Sequence, residues 1–386
     1  MNQTASKKRS FVRVTQIAAA SAAFALLAAC GGGSDNNSSS STPAGGVKLQ
    51  VVSFGDSLSD VGTYAPVIQA NFGGGRFTTN PGEVWTQKVA EYYGGTLSAA
   101  ALGGFGQPLV NTSGNGYAQG GARVVDPNGE GHAPAGQPDY AQATTTPIVA
   151  QVQNYLTAHG SFNSDQLVLV NGGANDIFEQ LPALATAITT DIAGGMNEQV
   201  AVQTETLKTL GPVAAALAQQ VGLILQSGAT HVVVSNVPDI GSTPLALQQV
   251  ATLGAQAPAL ITGITQVYNA ALTGALQQGG IYSKIIPIDA FTWQDKLMAN
   301  AAASGFTVTN TGTACNLTAM ATAAAKFGEP DPTAFASSLF CSPETYTVAG
   351  ADQTYMFADL VHPTTHVHAL FAQYVEQQVA ASGLGK

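Results

Sequence analysis

Charge is scarce in this 386-residue chain: 9% of residues are Asp, Glu, Lys or Arg, with 13 cations against 23 anions. A formal net charge of −10 repels phosphate backbones, so nucleic acid is excluded as a partner class. Cysteine is rarer still at three residues, too few for a disulfide scaffold. The cysteines lack metal-ligand spacing and no H-E-x-x-H signature is present, so neither a metal nor another cofactor is expected. The apolar stretch Ile17–Ala29 falls short of the roughly 20 residues that a membrane span needs. What is plentiful is apolar residues, 45%, and glycine, 43 residues, which together describe a loop-rich chain long enough to bury a full core.

The scarce charges are not evenly spread. Lys7, Lys8, Arg9 and Arg13 precede the short apolar stretch with no acid among the first 30 residues, the layout of a signal peptide over residues 1–29. Removing that segment takes the net charge to about −14. Leu27-Ala28-Ala29-Cys30 resembles a bacterial lipobox, in which Cys30 becomes lipid-modified and begins the mature chain. An ordinary signal cut near Ala29, leaving a free Cys30, is the alternative. The tether from Gly31 to Gly46 would reach roughly 50 Å when stretched. Gly rather than Asp after Cys30 is similar to outer-membrane lipoproteins of Gram-negative cells. The expected location is therefore the bacterial cell envelope, anchored through lipid on either face of that membrane. Cys315 and Cys341 remain, in a compartment where disulfides persist, and read as structural.

The rest, residues 47–386, reads as one domain. Leu49–Phe54, Gln166–Val170, His231–Ser235 and Lys284–Ile288 are short apolar runs, as expected of strands covered on both faces. Ala183–Ser227, Ala246–Gln278, Cys315–Phe327 and Thr364–Ala381 favour helix by composition. Alternation of the two predicts an α/β protein with a parallel sheet, and ligands in such sheets lie beyond the carboxyl strand ends. From Asn71 to Thr146 the chain is rich in Gly, Pro, Asn and Thr, a substrate-facing excursion holding short helices such as Val84–Tyr93.

Four segments carry residues able to do chemistry. Ser57, in Phe54-Gly55-Asp56-Ser57-Leu58-Ser59-Asp60, follows the first strand, where a strand-to-helix turn exposes a hydroxyl beside free backbone N–H groups. Capping of that helix by Ser57 or Ser59 explains the residues equally well. Asp359 and His362 stand three apart just before the last helix, so the imidazole could act as a base oriented by the carboxylate; helix capping by Asp359 is the plainer alternative. Asn175 follows the strand Gln166–Val170 and could donate its amide N–H to an oxyanion, or simply belong to a Gly/Asn turn. Tyr117-Ala118-Gln119-Gly120-Gly121-Ala122 could bring a backbone N–H close to a substrate, or be an ordinary loop.

Taken together and in this order, the four segments resemble the blocks of the GDSL, or SGNH, hydrolases, from about Leu49 to the C-terminus. FGDSLSD, GAND and DLVHPT match its Ser, Asn and His blocks. Asn236–Pro244 and Val267–Leu272 are similar to segments of its longer members. The resemblance implies a three-layer α/β/α sandwich with a mostly parallel, flavodoxin-like sheet. It also implies Ser57 as nucleophile, His362 as base and Asp359 as its orienting carboxylate. The oxyanion donors would be Ser57, Asn175 and Gly121, with Gly120 the near alternative. One position departs: where many members carry Asn, five residues before that Gly, this chain has Gly116.

The implied activity is hydrolysis of carboxylic esters through an acyl-enzyme, as esterase or lipase, on an ester or lipid substrate. Phospholipase and glycerophospholipid acyltransferase activities use the same site in similar proteins. Two readings compete from other classes. Asp359, His362, His366 and His368 could form a metal site, and the Gly/Thr/Asn-rich loops would suit a non-enzymatic glycan-binding lipoprotein. Phe72, Phe77, Trp85, Tyr92, Tyr93 and Phe105 lie in or near the excursion, where they could line an acyl pocket or pack a core.

Overall fold

A computed structural model describes residues 42–105, 107–130, 145–327, 332–333 and 336–386. The signal segment and Cys30 lie outside the described residues, as do most of the tether and part of the Gly-rich excursion.

Four strands form the central sheet: β1 (Gln50–Phe54), β4 (Gln166–Val170), β5 (His231–Ser235) and β6 (Ile286–Ile288). Two more, β2 (Ala101–Gly104) and β3 (Gln107–Asn111), pair antiparallel as a separate hairpin. The sheet order is β1-β4-β5-β6, parallel throughout, with Val52 opposite Val168 and Val168 opposite Val232. Alternating side chains serve two cores, because successive residues of a strand face opposite ways. Val52, Phe54, Val168, Val170, Val232 and Val234 pack under the helices Ile148–His159, Glu198–Gln226 and Ala257–Gln278. Val51, Leu167, Leu169 and Val233 face the other way, with Trp85 and Val89 of Trp85–Tyr92 and Val375 and Val379 of Thr365–Ala381. This is the three-layer α/β/α arrangement that the sequence implies.

The expected strands are present within a residue or two, and the helices are more finely divided. The stretch Ala183–Ser227 belongs to two helices, Ala174–Ala193 and Glu198–Gln226, separated by a turn at Gly195 (φ 94°) and restarted by Asn197, whose side chain accepts from the N–H groups of Gln199 and Val200. The first begins ahead of Pro182, which it carries in its interior. Ala246–Gln278 is likewise broken, at Gln249 and at Gly254, giving Pro244–Gln248, Val250–Leu253 and Ala257–Gln278. Helices Ile148–His159 and Ala290–Ala299 and the β2–β3 hairpin are additions to the expected set.

The Gly-rich excursion is tied to the sheet rather than loose upon it. Ser53 of β1 accepts from Tyr117 N–H at 2.8 Å and donates to Asn115 at 3.0 Å, so Asn115–Tyr117 continues the sheet beyond its β1 edge. Gly116 also bonds Ser98 and Ala100 on its far side. A Cβ there would lie 2.7 Å from Val61 and 3.0 Å from the Ser98 carbonyl, which leaves no room for the Asn found in similar proteins. The chain then passes Gly120 and Gly121 beside the carboxyl end of β1.

Candidate active site

Ser57 opens a short 3-10 helix directly after β1. Asp56 caps that helix through Leu58 N–H at 3.1 Å and accepts from the Asn171 amide at 2.8 Å. The other side of Asn171 accepts from Ser59 Oγ at 2.6 Å. Asn171, at the end of β4, thus clamps Asp56 and Ser59 on either side of Ser57. Burial pushes the Asp56 pKa up, against its hydrogen bonds to Leu58 and Asn171. Asp60 closes the turn on Gly62 and Thr63 and reaches across to Gly120, whose N–H donates to it at 2.9 Å. Capping and exposure of a hydroxyl, the two readings of this segment, coexist: Asp56 is the cap and leaves Ser57 Oγ free to face elsewhere.

It faces His362. Ser57 Oγ and His362 Nε2 are 2.8 Å apart, and His362 Nδ1 is 2.7 Å from Asp359 Oδ2. The sequence separation of 305 between Ser57 and His362 is bridged because β1 and the last turn before helix Thr365–Ala381 meet at one end of the sheet. Asp359 is held by more than the histidine. Its Oδ1 accepts from the backbone N–H groups of Val361 and His362, and its Oδ2 accepts from Ser338 N–H at 2.6 Å. Burial would raise its pKa, but the imidazole charge and the hydrogen bonds from His362 and Val361 outweigh burial and hold it down to about 2. A carboxylate so held stays ionised and keeps Nδ1 as the protonated nitrogen, leaving Nε2 able to take a proton from Ser57.

Gly121 and Asn175 line the same cavity as Ser57 and His362. Asn175 is buried in the first turn of helix Ala174–Ala193, and its amide donates one N–H to the Ala122 carbonyl at 2.8 Å, leaving a second. Ala122 immediately follows Gly121, so the two candidate donors are fixed to each other. Gly120 and Gly121 differ in what their N–H groups do. That of Gly120 is taken by Asp60, whereas those of Gly121 and Ser57 have no acceptor among the described residues. Gly121 also requires its glycine: φ is 79°, and a Cβ would lie 2.2 Å from the Glu130 carbonyl oxygen.

Two hollows flank the Ser57–His362 pair. The larger, about 600 Å³, is lined by Phe77, Phe105, Phe178, Leu181, Leu245 and Leu253 among others. The smaller, about 80 Å³, runs between Trp85, Trp293 and Phe371. Of the aromatic residues near the excursion, Phe77, Phe105 and Trp85 reach a hollow. Tyr93 is core, while Phe72 stacks edge-on against Phe340 and Tyr92 against Tyr93.

The three C-terminal histidines do not converge. His362 faces Ser57 and Asp359, His366 Nδ1 lies 2.7 Å from the Gln353 carbonyl, and His368 Nδ1 accepts from Trp85 N–H. No cluster of three or more His, Cys, Asp or Glu suited to a metal occurs among the described residues. Cys315 and Cys341 form a disulfide, 26 residues apart in sequence. The bridge borders the site, since Cys315 N–H donates to Ala358 and Ser338, three residues before Cys341, donates to Asp359.

The supporting residues were the least visible in the sequence. Asn171 and Asp60 sit inside recognisable segments and could have been found there. Gln151, which both donates to and accepts from the Gly55 backbone, and Ser338, whose N–H steadies Asp359, give no local signal at all.

A hydrogen-bonded Ser–His–Asp line thus stands at the carboxyl ends of a parallel α/β sheet. The model of the GDSL-like lipase/acylhydrolase family matches residues 51–375, and the chain belongs to that family. Its broad activity is therefore that of a hydrolase of esters or lipids. Comparison with curated proteins gives no match.

Proposed function

We propose that this protein is a carboxylic ester hydrolase of esterase or lipase type, working through an acyl-enzyme on Ser57. The 2.8 Å approach of Ser57 Oγ to His362 Nε2 carries the reading. His362 takes the Ser57 proton as Oγ attacks the ester carbonyl, and Asp359 stabilises the imidazolium that results. The N–H groups of Ser57 and Gly121 and the second amide hydrogen of Asn175 receive the developing oxyanion, each donor contributing about 3 kcal/mol toward the barrier by analogy with other such sites. His362 then protonates the departing alcohol, and a water molecule, deprotonated by the same imidazole, releases the acid. Gly121 is preferred over Gly120 because the Gly120 N–H is already engaged by Asp60.

The apolar walls of the larger hollow suit an acyl chain, and its volume of about 600 Å³ admits one of medium or greater length. Attachment to the cell envelope through a lipidated Cys30, on the outer membrane, completes the reading and rests on the lipobox-like segment. The test is hydrolysis of p-nitrophenyl esters from acetate to palmitate beside Ser57→Ala. Serine-dependent turnover with an optimum beyond acetate is expected; equal activity in Ser57→Ala would overturn the assignment. Phospholipase or acyl-transfer activity would appear as preference for a phospholipid donor or for an alcohol over water as acceptor.

A further inference from the structure

Between Asp239 and Lys284 the chain carries no charged residue, a run of 44 in a protein that is 9% charged. The helix Ala257–Gln278 packs one face on the core, which explains part of that run. Of the two short helices before it, Pro244–Gln248 buries Pro244 and Ala246, and Val250–Leu253 buries no residue. Leu245, Gln249, Thr252 and Leu253 line the larger hollow, while Leu247 and Val250 face solvent at 40% and 37% exposure. A helix between a cavity and water ordinarily carries its charges on the outer face, and these carry none.

Their height in the molecule follows from the neighbouring helix. Asn269 grips both the N–H and the carbonyl of Val237, just beyond the carboxyl end of β5. The twelve helical residues before it make about 18 Å of helix leading away from that contact. Thr262, in that rising part, bonds Asp239, and Leu245 N–H bonds the Leu360 carbonyl next to the His362 turn. The uncharged pair of helices thus lies between solvent and the hollow that leads to Ser57.

We propose that the outer face of residues 244–256 is a docking surface for an uncharged lipid interface, a neutral or zwitterionic one. Leu247 and Val250 enter the interface while the inner face passes acyl chains into the hollow. That second half rests on the substrate reading given above. Charge selects the partner: with a net −10 and no cation in the run, the face gains nothing from an anionic lipid, and with no carboxylate or ammonium to desolvate it inserts where most surfaces cannot.

The test uses the full chain with Cys30→Ser, so that only an introduced thiol reacts, labelled with an environment-sensitive fluorophore at Ala251→Cys or, as control, at the exposed Ala158→Cys. With phosphatidylcholine vesicles, the label at 251 is expected to shift to the blue and its quenching by iodide to fall about threefold, and the label at 158 to do neither. No change at 251, or the same change at both, overturns the proposal. In a second arm, Leu247→Asp with Val250→Asp should lower hydrolysis of emulsified tributyrin about tenfold and leave soluble p-nitrophenyl acetate within about twofold. Equal loss on both substrates, or on neither, also counts against it. If the parent chain hydrolyses no ester, the esterase reading fails, and the fluorescence alone decides the docking face.

Discussion

Asp359 does two jobs, and they can be separated by substitution. It orients His362 and it accepts three backbone N–H groups, so Asp359→Asn replaces an acceptor with an amide that must meet donors. The variant should lose roughly 10³–10⁴ in kcat and about 1–3 kcal/mol of stability by urea unfolding. Because the folded-state pKa is held at about 2, below the ordinary 3.8, the ionised carboxylate stabilises the fold above pH 4. That contribution is lost as the pH falls through 2, so the stability gap between wild type and Asp359→Asn should narrow from pH 4 downward. A gap independent of pH would contradict the assignment of the shift to Asp359. At Gly121, alanine would place a Cβ 2.2 Å from a carbonyl oxygen in a left-handed conformation. Gly121→Ala should cost kcat about 10²–10³ with a smaller effect on KM, as expected for a displaced oxyanion donor.

The disulfide and the turns decide how well these residues are held. Cys315–Cys341 closes a loop whose removal costs about 3.5 kcal/mol in the chain-entropy account, for a separation of 26 residues. Since Ser338 within that loop donates to Asp359, Cys315→Ala with Cys341→Ala should also lower kcat severalfold at temperatures where the protein remains folded. Unchanged kcat would mean that the loop is positioned without the bridge. Elements were legible wherever one pattern dominated. β1, β4 and β5 are mostly apolar runs because both faces are covered, while the edge strand β6 exposes Pro287, and the Ser, Asn and His segments lie at the carboxyl ends. Helix Ile148–His159 was equally readable, since Ile148, Gln151, Val152 and Tyr155 form a buried stripe at helical spacing, but its β-branched start and the Gly-rich stretch before it masked the period. Breaks at Gly195 and Gly254 depend on backbone conformations with positive φ, which composition does not specify. The contacts of Gln151 and Ser338 depend on tertiary placement alone.

At the scale of the whole molecule, a negatively charged domain presents an apolar hollow at the carboxyl ends of its sheet and carries a lipobox-like segment some distance upstream. If that segment anchors the protein, Cys30→Ser combined with Leu247→Asp and Val250→Asp, which removes the proposed docking face as well, should move it from the membrane to the soluble fraction while kcat on p-nitrophenyl acetate stays within about twofold; retention of this variant in the membrane would contradict lipid anchoring. The central claim, that Ser57 is the nucleophile, is tested most directly by the mass of the intact chain after reaction with a p-nitrophenyl alkylphosphonate. The expected result is one phosphonyl group per chain, located on the peptide containing Ser57, with no labelling of Ser57→Ala and strongly slowed labelling of His362→Ala. An unmodified wild-type chain, or a stable adduct on another residue, would contradict it.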